Sequence, residues 1–125
     1  MNNAIKIAVF SVDIVFVELI KRIVENYGEH CHCEIFSSFS EVGTISGTNF
    51  DLIIVDDLII GMSCYELISF LRLNLKIITP IIYFGVAEYD GVLKAHSSGA
   101  NHFIVKPFKC SEVEAKFQNL LSMAK

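Results

Sequence analysis

Short apolar runs alternate with segments of helical period along the whole chain. "IKIAVF" at residues 5–10 reads as a buried strand, and "IVFVELIKRIVENY" at 14–27 follows with Val17, Ile20, Val24 and Tyr27 at helical spacing. Gly28 is a suitable stop. "HCEIFS" predicts a second strand, after which the serines, threonines and two glycines of "SFSEVGTISGTNF" allow only a short helix or a loop. "DLIIV" is the third strand and "CYELISFLRLN" the next helix; "TPIIYFG" is the fourth strand, with Pro80 at its permitted beginning. "EYDGVLKAHSSGA" makes a poor helix because Gly91 and two serines weaken it. "NHFIV" is a fifth strand, cut off by Lys106–Pro107. A last helix is expected behind a capping box of Ser111 and Glu114, with Val113, Phe117, Leu120 and Leu121 on its apolar face.

Strands alternating with helices predict parallel pairing through right-handed crossovers, an open α/β sheet. Composition agrees. The chain is 53% hydrophobic and 19% charged, a balance that suits strands buried on both faces. Its 125 residues suit a single domain, 1–125. Apolar stretches fall short of the roughly 18–20 residues that cross a bilayer, and the start "MNNAIKIAVF" lacks the layout of a signal peptide. Cytoplasmic residence is the expectation, with Cys31, Cys33, Cys64 and Cys110 as reduced thiols. A net charge of −4 without a basic stripe argues against nucleic-acid binding by this domain, and membrane association is not expected either.

Ligands of open α/β sheets bind outside the carboxyl ends of the strands. Asp13, Asp56, Asp57, Gly85 and Lys106 all fall at such ends. "DLIIVD", Asp51 to Asp56, and "GANHFIVKPF", Gly99 to Phe108, carry a specific pattern: an acid closing the third strand and a lysine closing the fifth. In these two motifs, in their order and spacing, the chain resembles the receiver domains of bacterial two-component response regulators, and the resemblance covers essentially all 125 residues.

That resemblance implies a flavodoxin-like, doubly wound sheet of five parallel strands in the order 2-1-3-4-5, with helices on both faces. It implies that Asp56 accepts a phosphoryl group from a histidine kinase or phosphotransfer protein, that Mg²⁺ assists, and that Lys106 pairs with the phosphate. It further implies a cis Lys106–Pro107 bond. Such a domain takes part in its own phosphorylation without being an enzyme in the usual sense. A carboxylate is a competent nucleophile for the transfer, which also needs in-line geometry and neutralised equatorial oxygens.

Four departures from the family pattern bear on that chemistry. The two acids that close the family's first strand and hold Mg²⁺ align with Ser11 and Val12. Asp13 follows one residue later, so the metal set is reduced to Asp56, the Leu58 carbonyl and Asp13, a weak or lost site. The hydroxyl residue ending the fourth strand is Gly85, and the switching aromatic of the fifth is Phe103, which has no hydroxyl. After the acceptor, the family's Pro and Gly become Ile60 and Cys64. An alternative function follows: a phosphorylation-independent pseudo-receiver acting as a protein–protein interaction module. A nucleotide or flavin domain of similar architecture is disfavoured, because "SVDIVF" supplies no Gly-rich phosphate loop.

Plainer roles stand beside these. Asp13 is equally suited to capping the first helix, and Asp57 reads as an exposed neighbour or secondary acid beside the acceptor. "HCHC", His30 to Cys33, cannot converge on a metal from a strand, because histidines and cysteines face opposite ways. Cys64 and Cys110 are expected to pack as small apolar groups, and His96 and His102 to lie at or near the surface without partners. In the family, the fourth helix, fifth strand and fifth helix form the face for dimerisation or output contacts. Here that face includes the segment Glu88–Ser98 and Phe103.

Overall fold

The computed structural model describes residues 4–28, 30–38, 40–42, 45, 49–59, 61–86 and 91–124. Ile60 and residues 87–90, the latter at the start of the expected weak helix, lie outside the described residues. Five strands, β1 (Ile5–Phe10), β2 (Cys31–Phe36), β3 (Leu52–Asp56), β4 (Ile81–Val86) and β5 (His102–Lys106), form one parallel sheet in the order β2-β1-β3-β4-β5. Among the described residues, α1 (Ile14–Tyr27), α2 (Cys64–Leu73) and α3 (Gly91–Ser98) lie between strands, and α4 (Cys110–Ala124) follows β5. After β2, residues 40–42 make a single tight turn. The family's fourth and fifth helices therefore correspond to α3 and α4.

Alternation along the strands divides the apolar side chains between two layers. Ile5, Ile7, Val9, Leu52, Ile54, Ile82, Phe84 and Ile104 pack under α1 and α4. Ala8, Phe10, Ile53, Val55, Ile81 and Tyr83 face α2, α3 and the buried Val42 and Ile45. Helix α1 contributes Phe16, Ile20, Ile23 and Val24 to the first layer, and α4 adds Val113, Phe117 and Leu121. Burial on both faces is why β3 and the start of β4 read as apolar runs, while β1 is interrupted by the exposed Lys6.

Local signals set the helix ends. Asp13 is the N-cap of α1, its Oδ1 accepting the amides of Val15 at 3.0 Å and Phe16 at 3.3 Å. Ser63 and Glu66 form a reciprocal capping box on α2. The box expected at Ser111 and Glu114 is a correction: both lie inside α4, which starts at Cys110. The chain re-enters a helix three residues after Pro107, and Glu112 reaches back to accept the Lys109 amide at 2.8 Å.

Candidate acceptor site

The carboxyl ends of β1, β3 and β5 meet above the centre of the sheet, and register brings their last residues together. Phe10 lies opposite Val55, Asp56 opposite Phe84, and Val86 opposite Lys106. Asp56 is fully buried, at 0% exposure, and Ser11 is at 1%. A lone buried carboxylate is costly, and partners are required. The Ser11 hydroxyl donates to Asp56 Oδ2 at 2.6 Å, and the Lys106 ammonium lies against Asp56 Oδ1. The same ammonium donates to Asp57 Oδ1 at 2.8 Å and sits 5.0 Å from the centre of the Phe16 ring. One lysine thus bridges two adjacent carboxylates.

Burial pushes the Asp56 carboxyl above its ordinary pKa, against the opposing pull of Lys106 and Ser11. Burial works against the Lys106 charge as well, but hydrogen bonds and charge from Asp56 and Asp57 outweigh it and raise its pKa. The lysine is therefore held firmly as a cation.

Asp57 is a half-buried ion-pair partner of Lys106, where an exposed neighbour or a secondary acid was expected. The backbone of β3 turns its Asp57 amide onto the Phe84 carbonyl at 3.0 Å, and the side chain then reaches β5. The Lys106–Pro107 peptide bond is cis.

The residues that remain for a divalent cation do not fit one. Asp13 has its carboxylate turned to the α1 amides. The Leu58 carbonyl accepts the Val12 amide at 2.9 Å, and the Val12 side chain offers no donor. Asp56 Oδ2 accepts the Ser11 hydroxyl, and Asp56 Oδ1, buried with no hydrogen-bond partner, faces only the Lys106 ammonium. Among the described residues, no group of three or more His, Cys, Asp or Glu side chains is arranged to hold a metal.

Gly85 lies beneath an aromatic ring. A Cβ at this position would stand 2.7 Å from Tyr83 Oη and 2.8 Å from two ring carbons. Tyr83, 3% exposed, packs 5.4 Å from the Tyr65 ring and 5.2 Å from the Phe103 ring, and the Cys64 thiol donates to its hydroxyl at 3.2 Å. Phe103 is half-buried.

Elsewhere, Cys31 is buried and His32 exposed on opposite faces of β2, and the four cysteines are free thiols. Cys110 is exposed at the start of α4, correcting the expectation that it packs, since the first turn of that helix faces solvent. His96 is exposed, whereas His102 has Lys116 Nζ 3.4 Å from Nδ1 as a partner.

Comparison with known proteins agrees with this geometry. No family model matches the chain. It is 27% identical over 108 residues to the transcriptional regulatory protein CrdR of Helicobacter pylori, a match covering 83% of the chain but 51% of that relative. The chain thus spans about half the length of such relatives. The signal receiver domain of a histidine kinase from Syntrophus aciditrophicus superposes with a TM-score of 0.84 at 29% identity, covering 98% of this chain and 93% of that one. The receiver domain of a Pseudomonas aeruginosa sensor histidine kinase, solved with a magnesium ion in its active-site cleft, gives a TM-score of 0.81 at 18% identity over 96% and 99% of the two chains. With five parallel strands in the order 2-1-3-4-5 and an acid, a serine and a lysine gathered at their carboxyl ends, the chain has the fold of a response regulator receiver domain, consistent with two-component signalling.

Proposed function

We propose that this chain is a cytoplasmic receiver in which Asp56 accepts a phosphoryl group from a phosphohistidine on a kinase or phosphotransfer protein. The observation that supports this reading is the placement of the Lys106 ammonium on Asp56 at the carboxyl edge of the sheet. In the transfer, an Asp56 oxygen attacks phosphorus, a P–O bond forms, and the P–N bond to the donor imidazole breaks with its electron pair leaving on nitrogen. Lys106 then offsets the added negative charge on the phosphoryl oxygens. Because Asp57 holds the same ammonium, Lys106 stays in the pocket while it exchanges the Asp56 oxygen for the phosphoryl group.

A second reading, a phosphorylation-independent interaction module, is favoured by two observations: Asp56 has no exposed surface, and Gly85 offers no hydroxyl. In either case the contact face for an output segment or a second copy is α3, β5 and α4, where Val92, Leu93 and Val105 are exposed.

Intact mass after incubation with acetyl phosphate separates the two readings. A single phosphoryl adduct on the unmutated chain and none on Asp56→Asn is the expected result. No adduct after prolonged incubation would overturn the acceptor reading and leave the interaction module.

A further inference from the structure

We propose that the acceptor pocket carries its own cation: Lys106, clamped by Asp57, takes the place of a divalent metal beside Asp56, and the pocket does not bind Mg²⁺. The inference concerns the cation site of the proposed acceptor, but its test does not depend on phosphorylation.

The oxygens that could ligate a metal are largely engaged, and Asp56 Oδ1, buried without a hydrogen bond, faces only the Lys106 ammonium. Asp56 Oδ2 receives the Ser11 hydroxyl at 2.6 Å, and Asp56 Oδ1 and Asp57 Oδ1 share the Lys106 ammonium. The Leu58 carbonyl receives the Val12 amide at 2.9 Å, and Asp13 Oδ1 receives two helix amides. Ser11 is itself fixed, since its oxygen accepts the Asp13 amide at 3.0 Å while its proton goes to Asp56. The hydroxyl is therefore committed as a donor to Asp56, and one of its two lone pairs is already taken by the Asp13 amide.

Charge leads to the same conclusion. Two carboxylates facing one ammonium leave a net single negative charge, with Asp56 fully buried and the Phe16 ring 5.0 Å from the ammonium. Mg²⁺ dehydrates reluctantly and requires near-octahedral oxygen ligation. To enter, it would have to displace Lys106 from Asp56 and Asp57 and compete with the Ser11 hydroxyl for Asp56 Oδ2.

The arrangement also gives Asp57 a role. By holding Lys106 at 2.8 Å it positions the ammonium over Asp56, whose own oxygen must become available to any incoming group.

The test is thermal unfolding with magnesium raised to about 10 mM against KCl of matched ionic strength, since a ligand that binds the folded state raises Tm by mass action. The unmutated chain is expected to show no saturable magnesium shift. Lys106→Met, which leaves Asp56 and Asp57 without their counter-charge, is expected to gain one. So is the S11D/V12D double variant, which supplies two carboxylates at the end of β1; it stands as the second arm if Lys106→Met does not fold. A saturable shift in the unmutated chain that Asp56→Asn abolishes would overturn the proposal. Absence of any gained shift in folded Lys106→Met would equally overturn the assignment of Lys106 as the resident cation. Because the readout is unfolding temperature, failure here is distinct from failure of the phosphoryl-adduct experiment.

Discussion

Tyr83 and Gly85 are a matched pair. They lie two residues apart on one face of β4, and the phenol of the first occupies the space into which any side chain on the second would project, with Oη 2.7 Å from an ideal Cβ. The ring cannot easily move aside, because Tyr65 and Phe103 flank it and the Cys64 thiol bonds its hydroxyl. Gly85 thus lacks a hydroxyl of its own for a packing reason, and a tyrosine hydroxyl stands in the neighbouring volume.

Threonine at position 85 is expected to destabilise the fold by about 1–3 kcal/mol, the range for overfilling a packed interior. Its higher strand propensity works in the opposite direction but is smaller than the overlap. The check is a double-mutant cycle in urea: Gly85→Thr should cost markedly less in a Tyr83→Leu background, where the ring is gone. Equal costs in both backgrounds would show that the two positions are independent.

Asp13 acts on α1 through its two amide contacts. Asp13→Ala should therefore lower stability by about 1 kcal/mol, the usual loss for an N-cap, while Asp13→Asn or Asp13→Ser retains most of it. Chemical denaturation decides between this and a metal role. Capping predicts the same loss with and without magnesium, whereas ligation predicts a loss that grows when magnesium is present.

Arg72 ties two loops at the opposite end of the sheet. Its guanidinium donates to the carbonyls of Gly99, Ile77 and Thr79 and to Asn101 Oδ1, all within 3.0 Å, and that Asn101 oxygen also accepts the Ile81 amide. Gly99 has φ +123°, and a Cβ there would meet Arg72 Cγ at 2.6 Å, so glycine is required on both counts. Arg72→Ala should cost about 2–3 kcal/mol, given hydrogen bonds from a charged group. Arg72→Lys should recover little, because an ammonium cannot reproduce the fork. The urea midpoints of the two variants test this directly.

The strands were legible because a sheet buried on both faces writes itself as short apolar runs between helical ones, whereas their order 2-1-3-4-5 came from the resemblance to receiver domains. Helix α1 was legible from period alone, and the third- and fifth-strand motifs located Asp56 and Lys106. The contacts that give the site its character were not legible. Ser11 meets Asp56 across 45 residues and Lys106 meets Asp57 across 49, and no local pattern carries pairings of that length. A signal did exist for Tyr83: a large ring and a glycine at i and i+2 of one strand share a face, so the ring is free to lie over the gap. For Asp57, adjacency to the acceptor hid a side chain that turns toward β5. The α4 start was misplaced because a capping pattern in sequence does not say whether the preceding turn has already delivered the chain into the helix.

The buried Asp56 gives stability a definite pH dependence. Its folded pKa is raised above the ordinary 3.8 by burial, with Lys106 and Ser11 opposing but not reversing the shift. The folded chain therefore holds this proton more tightly than the unfolded chain. The contribution is fully present below the ordinary value and is lost as pH rises through the raised folded value. Asp56→Asn carries a neutral group throughout, so it escapes that loss. Its stability relative to the unmutated chain should climb across this window and then level off toward neutral pH. In the variant Lys106 keeps Asp57 as its partner, so the ammonium is not orphaned and the comparison isolates the buried carboxylate. Urea midpoints for both proteins from about pH 4 to pH 7 make the test. A difference that stays flat with pH would mean that Ser11 and Lys106 fully compensate the burial of Asp56. A difference that falls would mean that they overcompensate, and that the pocket stabilises the Asp56 anion more than water does.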